Sequence, residues 1–327
     1  MVEPIHDRET DTGEGVVRAL LRRHLPGEAG RPLTPIRSSG TDNAMWRLAG
    51  SARQLVVRLP RMAGAAAAID RERWILGLLA DDGTFPLSVP EVVVAGEPGP
   101  DFPHPWLVLG WLDGDDAWAT RNRLLAREAA GDDRLAIDLA AAVRAIRSLD
   151  GAGGPSRPIG QRGGPIGPVV DEVKRWLDDP TWSAGHHLDV AAVRRAIDEA
   201  GEADADPIEP VLVHGDLLPG NLLVGTGRTG GPSDRAGPRL SAIIDWGSAA
   251  LADPAQDLTP AWAVLGHRGR LVFREALGVD EATWLRGRAF ELQHAVGAIL
   301  YYRPRRHPLA DVMANTLDQL LGERTDH

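Results

Sequence analysis

The spacing of apolar residues changes character once along this 327-residue chain, between Gly110 and Gly114, and that change limits what the chain can fold into. Before it, apolar runs are short and bounded by Gly and Pro. Ile36 to Leu48 reads as strand, Gly turn, strand, and Gln54 to Leu59, Val89 to Val94 and Trp106 to Trp111 supply three more strands. Residues 14–25 and 65–80 carry apolar side chains at helical spacing. From Asp115 the texture is Ala/Leu/Arg-rich. Residues 119–148, 169–178, 189–201 and most of 255–321 read as helix, with short apolar strands at 211–213, 221–224 and 242–245. Gly/Pro-rich stretches at 151–168 and 225–238 read as loops. This order predicts an α+β, two-lobe fold. Residues 1–110 form a mostly antiparallel β-rich lobe with one main helix, and residues 111–327 form a mostly helical lobe.

Composition removes several kinds of chemistry. Lys174 is the only lysine among 36 Lys+Arg, and it sits in Val-Lys-Arg-Trp, so the phosphate-binding pattern G-x-x-x-x-G-K-[ST] is absent. With no cysteine there is no disulfide, thiolate metal site or cysteine nucleophile. A net charge of −10 and a pI near 5.5 argue against nucleic acid as a partner and suit a cationic one. The N-terminal residues are polar and acidic rather than signal-like, and no apolar run approaches a membrane span, so a cytoplasmic location is expected. Gly225-Thr226-Gly227-Arg228-Thr229-Gly230 fits G-x-G-x-x-G, but a further strand rather than a helix follows it, which excludes a dinucleotide fingerprint.

The chemistry-bearing residues concentrate in two motifs. His214-Gly215-Asp216-Leu217-Leu218-Pro219-Gly220-Asn221 lies between apolar strands, and Ile243-Ile244-Asp245-Trp246-Gly247 ends a later one. Together they supply a carboxylate, an amide five residues later and a second carboxylate. Phosphoryl transfer needs those types: one group to orient the attacking hydroxyl, and oxygen donors for Mg²⁺ against the phosphates. A hairpin through 225–238 would bring Asn221 and Asp245 onto paired strands.

These motifs, with the lobe order, resemble the aminoglycoside phosphotransferase family, small-molecule kinases that share the protein-kinase fold. Gly40-Thr41-Asp42-Asn43, Val56-Val57-Arg58-Leu59-Pro60, Asp70-Arg71-Glu72-Arg73 and Ala252-Asp253-Pro254 also resemble one branch of it, including macrolide-kinase-like members. The resemblance implies Asp216 as catalytic base or hydroxyl-positioning group, and Asn221 and Asp245 as metal ligands. His214 braces the loop. Leu218 stands where relatives often have histidine. Where related kinases place a strand lysine paired with a helix glutamate, this chain offers Arg58 and Glu72, with Asp70 a half-turn away as the alternative. Ser39, Gly40 and Asn43 fall where a phosphate-covering loop would lie. The segment 109–112 would pair with the base, and Trp111 either stacks on it or packs in the fold. Asp257 reads as a brace for the catalytic segment. Glu291, His294, Tyr301 and Tyr302 fall where relatives build the acceptor pocket.

The implied activity is transfer of phosphate from ATP, with GTP possible and Mg²⁺ required, to a hydroxyl of a small molecule by a chain expected to be monomeric. An aminoglycoside-type or macrolide antibiotic is the leading acceptor. A metabolic alcohol of the choline, homoserine or sugar type is the alternative, and a nucleotide-binding pseudokinase is the non-enzymatic one. Arg58→Ala is expected to weaken nucleotide use far more than folding.

Overall fold

The computed structural model describes residues 9–36, 42–50, 53–179, 188–202, 208–225 and 239–322. Contacts divide the chain into two compact units. The first comprises Met1–Thr84, Ser88–Asp113 and the returning segment Ile243–Ser248; the second comprises Phe85–Leu87, Gly114–Ala242 and Ala249–His327.

The first unit is a five-stranded antiparallel sheet with two helices. Helix α1 spans Glu14–His24 and α2 spans Ala63–Asp82. The strands are β1 (Leu33–Ile36), β2 (Asn43–Leu48), β3 (Leu55–Pro60), β4 (Val92–Gly96) and β5 (Trp106–Gly110), in the order β1-β2-β3-β5-β4. Strand β3 is central and every one of its six residues is buried. A strand covered on both faces reads as a continuous apolar run rather than an alternation, and Leu55-Val56-Val57-Arg58-Leu59 does so with one charged exception. Helix α1 turns Val17, Leu20 and Leu21 toward Trp46, Leu48, Val57, Leu59 and Trp106. That i, i+3, i+4 stripe is why this segment docks as a helix. Helix α2 ends at Gly83, whose φ of 63° and N–H bond to the Leu79 carbonyl make a left-handed C-cap.

The second unit is helical around a few short strands. Strand β6 is Asp115–Asp116 and pairs with β8 (Leu222–Gly225), which neighbours β9 (Arg239–Ile243). Strand β7 (Val211–Val213) pairs antiparallel with β10 (Ala250–Ala252). Among the described residues the longer helices are α3 (Arg121–Ala129), α4 (Arg134–Ser148), α5 (Ile166–Asp178), α6 (Val190–Gly201), α7 (His267–Leu277), α8 (Glu281–Tyr302) and α9 (Leu309–Gly322), and a four-residue helical turn, Pro260–Ala263, precedes α7. Helix α8 is buried on almost every side and packs against α5, α6 and α9, so its apolar residues form no single stripe.

Most sequence-predicted elements recur within a few residues. The segment predicted as one helix over 119–148 is two helices, because Gly131 adopts φ 91° and the Asp132 carboxylate binds Arg127 and Arg134 across the break. The final helical stretch opens with a short 3₁₀ segment at Pro254–Leu258 that is kinked at Asp257. Strands β6 and β10, of two and three residues, carry too little periodicity to be read from sequence. Among the described residues, no helix is long and apolar enough to cross a membrane.

Strand β5 is seated by a close approach at its neighbour. Gly96 of β4 faces the fully buried Trp106 of β5, and a Cβ at Gly96 would fall 2.0 Å from the indole Cε2. Because β5 pairs with β3, this contact helps fix the strand carrying Arg58. Gly96→Ala is expected to destabilise the protein by about 3 kcal/mol through overpacking, read as a lower midpoint in urea unfolding at unchanged slope.

Candidate active site

In the first unit, the site begins with Arg58 on β3. Its Nη1 donates to Glu72 Oε1 of α2 at 2.9 Å, and its Nη2 donates to Asp245 Oδ1 at 2.6 Å. Arg58 and Glu72 are buried, while the Asp245 side chain is 36% exposed. Burial works against the guanidinium charge, but Asp245 and then Glu72 outweigh it and raise the Arg58 pKa above its ordinary value. Burial pushes the Glu72 carboxyl up to about 7, against the pull of Arg58. Asp70 faces outward and reaches only Arg73, at 3.8 Å, so Glu72 is the helix carboxylate that meets Arg58.

The Asp-Trp-Gly turn is bound to the same helix. The Trp246 N–H donates to Glu72 Oε1 at 3.2 Å, and Arg71 Nε donates to the Gly247 carbonyl at 2.8 Å. A Cβ at Gly247 would lie 3.1 Å from the Ala68 Cβ, so a glycine lets the turn settle on α2. Asp245 itself sits at φ 63°, a left-handed conformation that aspartate tolerates better than most residues. Those contacts hold one carboxylate oxygen on Arg58 and leave Oδ2 without a partner among the described residues. Because Arg58 is the counter-ion of two carboxylates, Arg58→Ala would also cost folding, by about 3–5 kcal/mol.

Other nucleotide-side expectations fare differently. Ser39 and Gly40 lie outside the described residues. Asn43 begins β2 opposite Pro60, and its Oδ1 is buried with no hydrogen-bond partner among the described residues. Trp111 follows β5; its N–H bonds the Gln54 carbonyl at 3.0 Å, and its indole N–H donates to Asp113 Oδ1 at 2.9 Å. The Arg47 guanidinium lies 4.2 Å from the Trp111 ring centroid, so one indole face is already covered. Trp111, Gln54, Ser88 and Glu91 line a cleft of about 440 Å³ within this unit.

In the second unit, the segment 214–221 is held from beneath. Asp257 Oδ2 accepts the His214 N–H at 2.7 Å and its Oδ1 accepts the Gly215 N–H at 2.8 Å. Gln256 Nε2 donates to the Gly215 carbonyl at 2.9 Å. Buried His214 accepts the Asp216 N–H at Nδ1, 3.2 Å away. Asp257 and His214 therefore brace the loop, as the sequence suggests. Asn221 Nδ2 donates to the Asp216 carbonyl at 2.9 Å and to its Oδ2 at 3.1 Å. That leaves the Asn221 amide oxygen without a partner among the described residues. Leu218 is buried.

The other oxygen of Asp216 meets a residue outside both motifs. Arg162 Nη2 donates to Asp216 Oδ1 at 3.3 Å, and its Nη1 lies 4.0 Å from Glu291 Oε2 of α8. Glu291 accepts a 2.8 Å bond from Thr259 Oγ1 and faces His294 at 3.6 Å. Burial by itself would raise the Asp216 pKa, but the positive charge of Arg162, then of His294 and His214, holds it below the ordinary carboxylate value. Arg162 lies in the Gly/Pro-rich stretch read as a plain loop; the one available signal was Gln161-Arg162 flanked by Gly160, Gly163 and Gly164. Of the late-helix residues, Glu291 and His294 join this cluster, whereas Tyr301 is 39% exposed and stacks with Arg305.

The arrangement offers a braced carboxylate that can accept a proton and oxygen donors of the hard type. It has the parts that phosphoryl transfer uses. Comparison with known proteins gives the family and the fold. The profile of the phosphotransferase enzyme family (APH) matches residues 33–290. No curated protein sequence matches the chain. Among solved structures, the GDP and kanamycin complex of APH(2″)-IIIa aligns with TM-score 0.67 at 19% identity, over 93% of this chain and 96% of that one. The complex of an APH(4)-Ia variant with ADP and hygromycin B aligns with TM-score 0.60 at 18% identity, over 94% of this chain and 99% of that one. The gentamicin complex of APH(2″)-IIa aligns with TM-score 0.59 at 16% identity, over 96% and 98%. The fold is thus the kinase-like one, with a β-sheet lobe and a helical lobe, and the chain belongs to the phosphotransferase enzyme family, whose members act on hydroxyl groups.

Proposed function

We propose that the protein transfers the γ-phosphoryl group of ATP or GTP to a hydroxyl of an aminoglycoside-type or macrolide antibiotic. The observation that carries this reading is the doubly held Asp216 carboxylate, fixed through Oδ2 by Asn221 on a loop braced by Asp257. An ionised carboxylate in one orientation can align a hydroxyl for in-line attack and take its proton as the new P–O bond forms. A pKa held below the ordinary value keeps that carboxylate in its proton-accepting form at neutral pH.

Each unit offers a hard oxygen donor of the kind magnesium takes, Asn221 Oδ1 in the second and Asp245 Oδ2 in the first, left over when the hydrogen bonds of each side chain are assigned, and the family resemblance makes these two residues the ones that would hold the ion. Among the described residues no group of three His, Cys, Asp or Glu forms a protein-only cage, which suits a cation that takes its remaining ligands from phosphates and water. Bound there, Mg²⁺ supplies charge neutralisation at the phosphate oxygens. Arg58 contributes a permanent cation to the nucleotide side, fixed by Glu72, and the loop at Ser39, Gly40 and Asn43 would cover the phosphates. A net charge of −10 favours a polycationic acceptor, as do the kanamycin, gentamicin and hygromycin B bound by the similar structures.

The test is ADP release by the full chain with Mg·ATP or Mg·GTP across a panel of aminoglycosides, macrolides, choline, homoserine and sugars, with mass spectrometry for a gain of one phosphoryl group. An aminoglycoside or macrolide is expected to gain it. Phosphorylation of a metabolic alcohol alone would move the enzyme out of the resistance class, and turnover with no acceptor would overturn the reading.

Two variants test the residue roles. Asp216→Asn keeps the hydrogen bond from Asn221 but removes the base, so kcat is expected to fall about 10³-fold with nucleotide binding intact. Arg58→Lys keeps the charge but replaces a two-pronged donor with a single point. It is expected to raise the KM for nucleotide about tenfold with a smaller effect on unfolding than Arg58→Ala. Unchanged nucleotide kinetics would remove Arg58 from the site.

A further inference from the structure

We propose that Arg162 is a positioning residue: it fixes the Asp216 carboxylate through Oδ1 while Asn221 fixes Oδ2, so that the base presents one orientation to the acceptor hydroxyl. The proposal rests on the reading of Asp216 as the catalytic base and adds a residue that neither motif contains.

Three observations carry it. First, Arg162 is the cation whose guanidinium meets the base, at 3.3 Å, and a carboxylate gripped on one oxygen only remains free to turn about its Cβ–Cγ bond. Second, the loop bearing Arg162 is built rather than loose. The Asp253 N–H donates to the Gly163 carbonyl at 2.8 Å, Gln293 Nε2 donates to the Gly160 carbonyl at 3.1 Å, and Arg157 Nε donates to Gln256 Oε1 at 3.1 Å. Gly163 has φ 82°, and a Cβ there would fall 2.0 Å from Gln256 Oε1, so only glycine lets the loop lie this close. Third, the segment that clamps this loop, Asp253 to Asp257, is the one that holds the His214 and Gly215 amides and the Gly215 carbonyl. Arg162 and Asp216 are therefore placed by one common support, and their separation is a property of the fold.

The guanidinium is also balanced. Nη1 is shielded from water, has no hydrogen-bond partner among the described residues and lies 4.0 Å from Glu291 Oε2. A second carboxylate at that distance draws the guanidinium back from Asp216, consistent with the long 3.3 Å bond. Arg162 orients the base without covering it, because Asp216 remains 22% exposed at its side chain.

The experiment compares wild type, Arg162→Ala and Arg162→Lys for Mg·ATP turnover with the panel acceptor that gives the fastest wild-type rate. Nucleotide affinity and thermal unfolding are measured alongside. Misplacing a reacting group by about 1 Å costs on the order of 10²-fold. Arg162→Ala is therefore expected to lower kcat by about 10- to 100-fold, leaving the KM for ATP within about twofold. Guanidinium ion added to Arg162→Ala, or the lysine variant, is expected to restore part of kcat, which a merely structural role would not allow. A wild-type kcat in Arg162→Ala overturns the proposal, as does a loss that neither lysine nor added guanidinium relieves. An inactive wild type overturns the functional reading instead, so the two failures are distinguishable.

Discussion

A guanidinium sealed between two carboxylates is the constraint on which the first unit depends. Arg58 occupies the central strand of the sheet, where its neighbours along and across the strands are apolar. An isolated charge there would be untenable. Glu72 and Asp245 resolve it, and in doing so they bring α2 and the returning Asp-Trp-Gly turn onto β3. A segment more than 180 residues downstream in sequence thereby becomes part of the sheet unit. The pair is weak evidence of stability, since apolar side chains of similar volume would often serve as well or better. Its worth is in specifying geometry: it fixes where the Asp245 carboxylate points, and it leaves one oxygen of that carboxylate unused.

The second unit solves a different problem. Its segment 214–221 is irregular backbone, whose N–H and C=O groups need partners wherever they are buried. Asp257 takes two of those N–H groups and Gln256 supplies a donor to one carbonyl. This turn is itself ordered by Asp253, which caps it at Ala255 N and pairs with buried Arg286 of α8. The chain of support thus runs from the most buried helix, through one turn, to the loop bearing Asp216. The segment is held by buried Leu217 and Leu218 together with the hydrogen bonds that Asp257 and Gln256 make to its backbone.

This division explains what was legible in the sequence. The strands, α1 and α2 show because burial of one stripe or both faces leaves a periodic trace. Asp216, Asn221 and Asp245 show because their spacing belongs to one loop and one strand end. Arg58 and Glu72 are expected as a pair only through the resemblance to related kinases, which leaves Asp70 as the alternative. Arg162 was not legible. It lies 54 residues from the carboxylate it meets, in a stretch whose Gly and Pro content signals only irregular backbone. Its placement is decided by the hydrogen bonds of Gly160 and Gly163 to elements about 90 and 130 residues away, and no local pattern encodes contacts of that range. Tight approaches such as Gly96 on Trp106 are hidden for the same reason.

The scarcity of lysine gives the two units a common logic. Each places one arginine between two carboxylates: Arg58 between Glu72 and Asp245, and Arg162 between Asp216 and Glu291. A lysine ammonium is a single point of charge on a flexible stem, whereas the guanidinium presents separate N–H groups in a fixed plane and can hold two acids at once. It also stays charged across the working pH range, so neither grouping loses its cation when a neighbour titrates. An amino-acid bias that reaches the whole chain has therefore not been a handicap at these two groupings; the arginine does there what a lysine could do only with a second one.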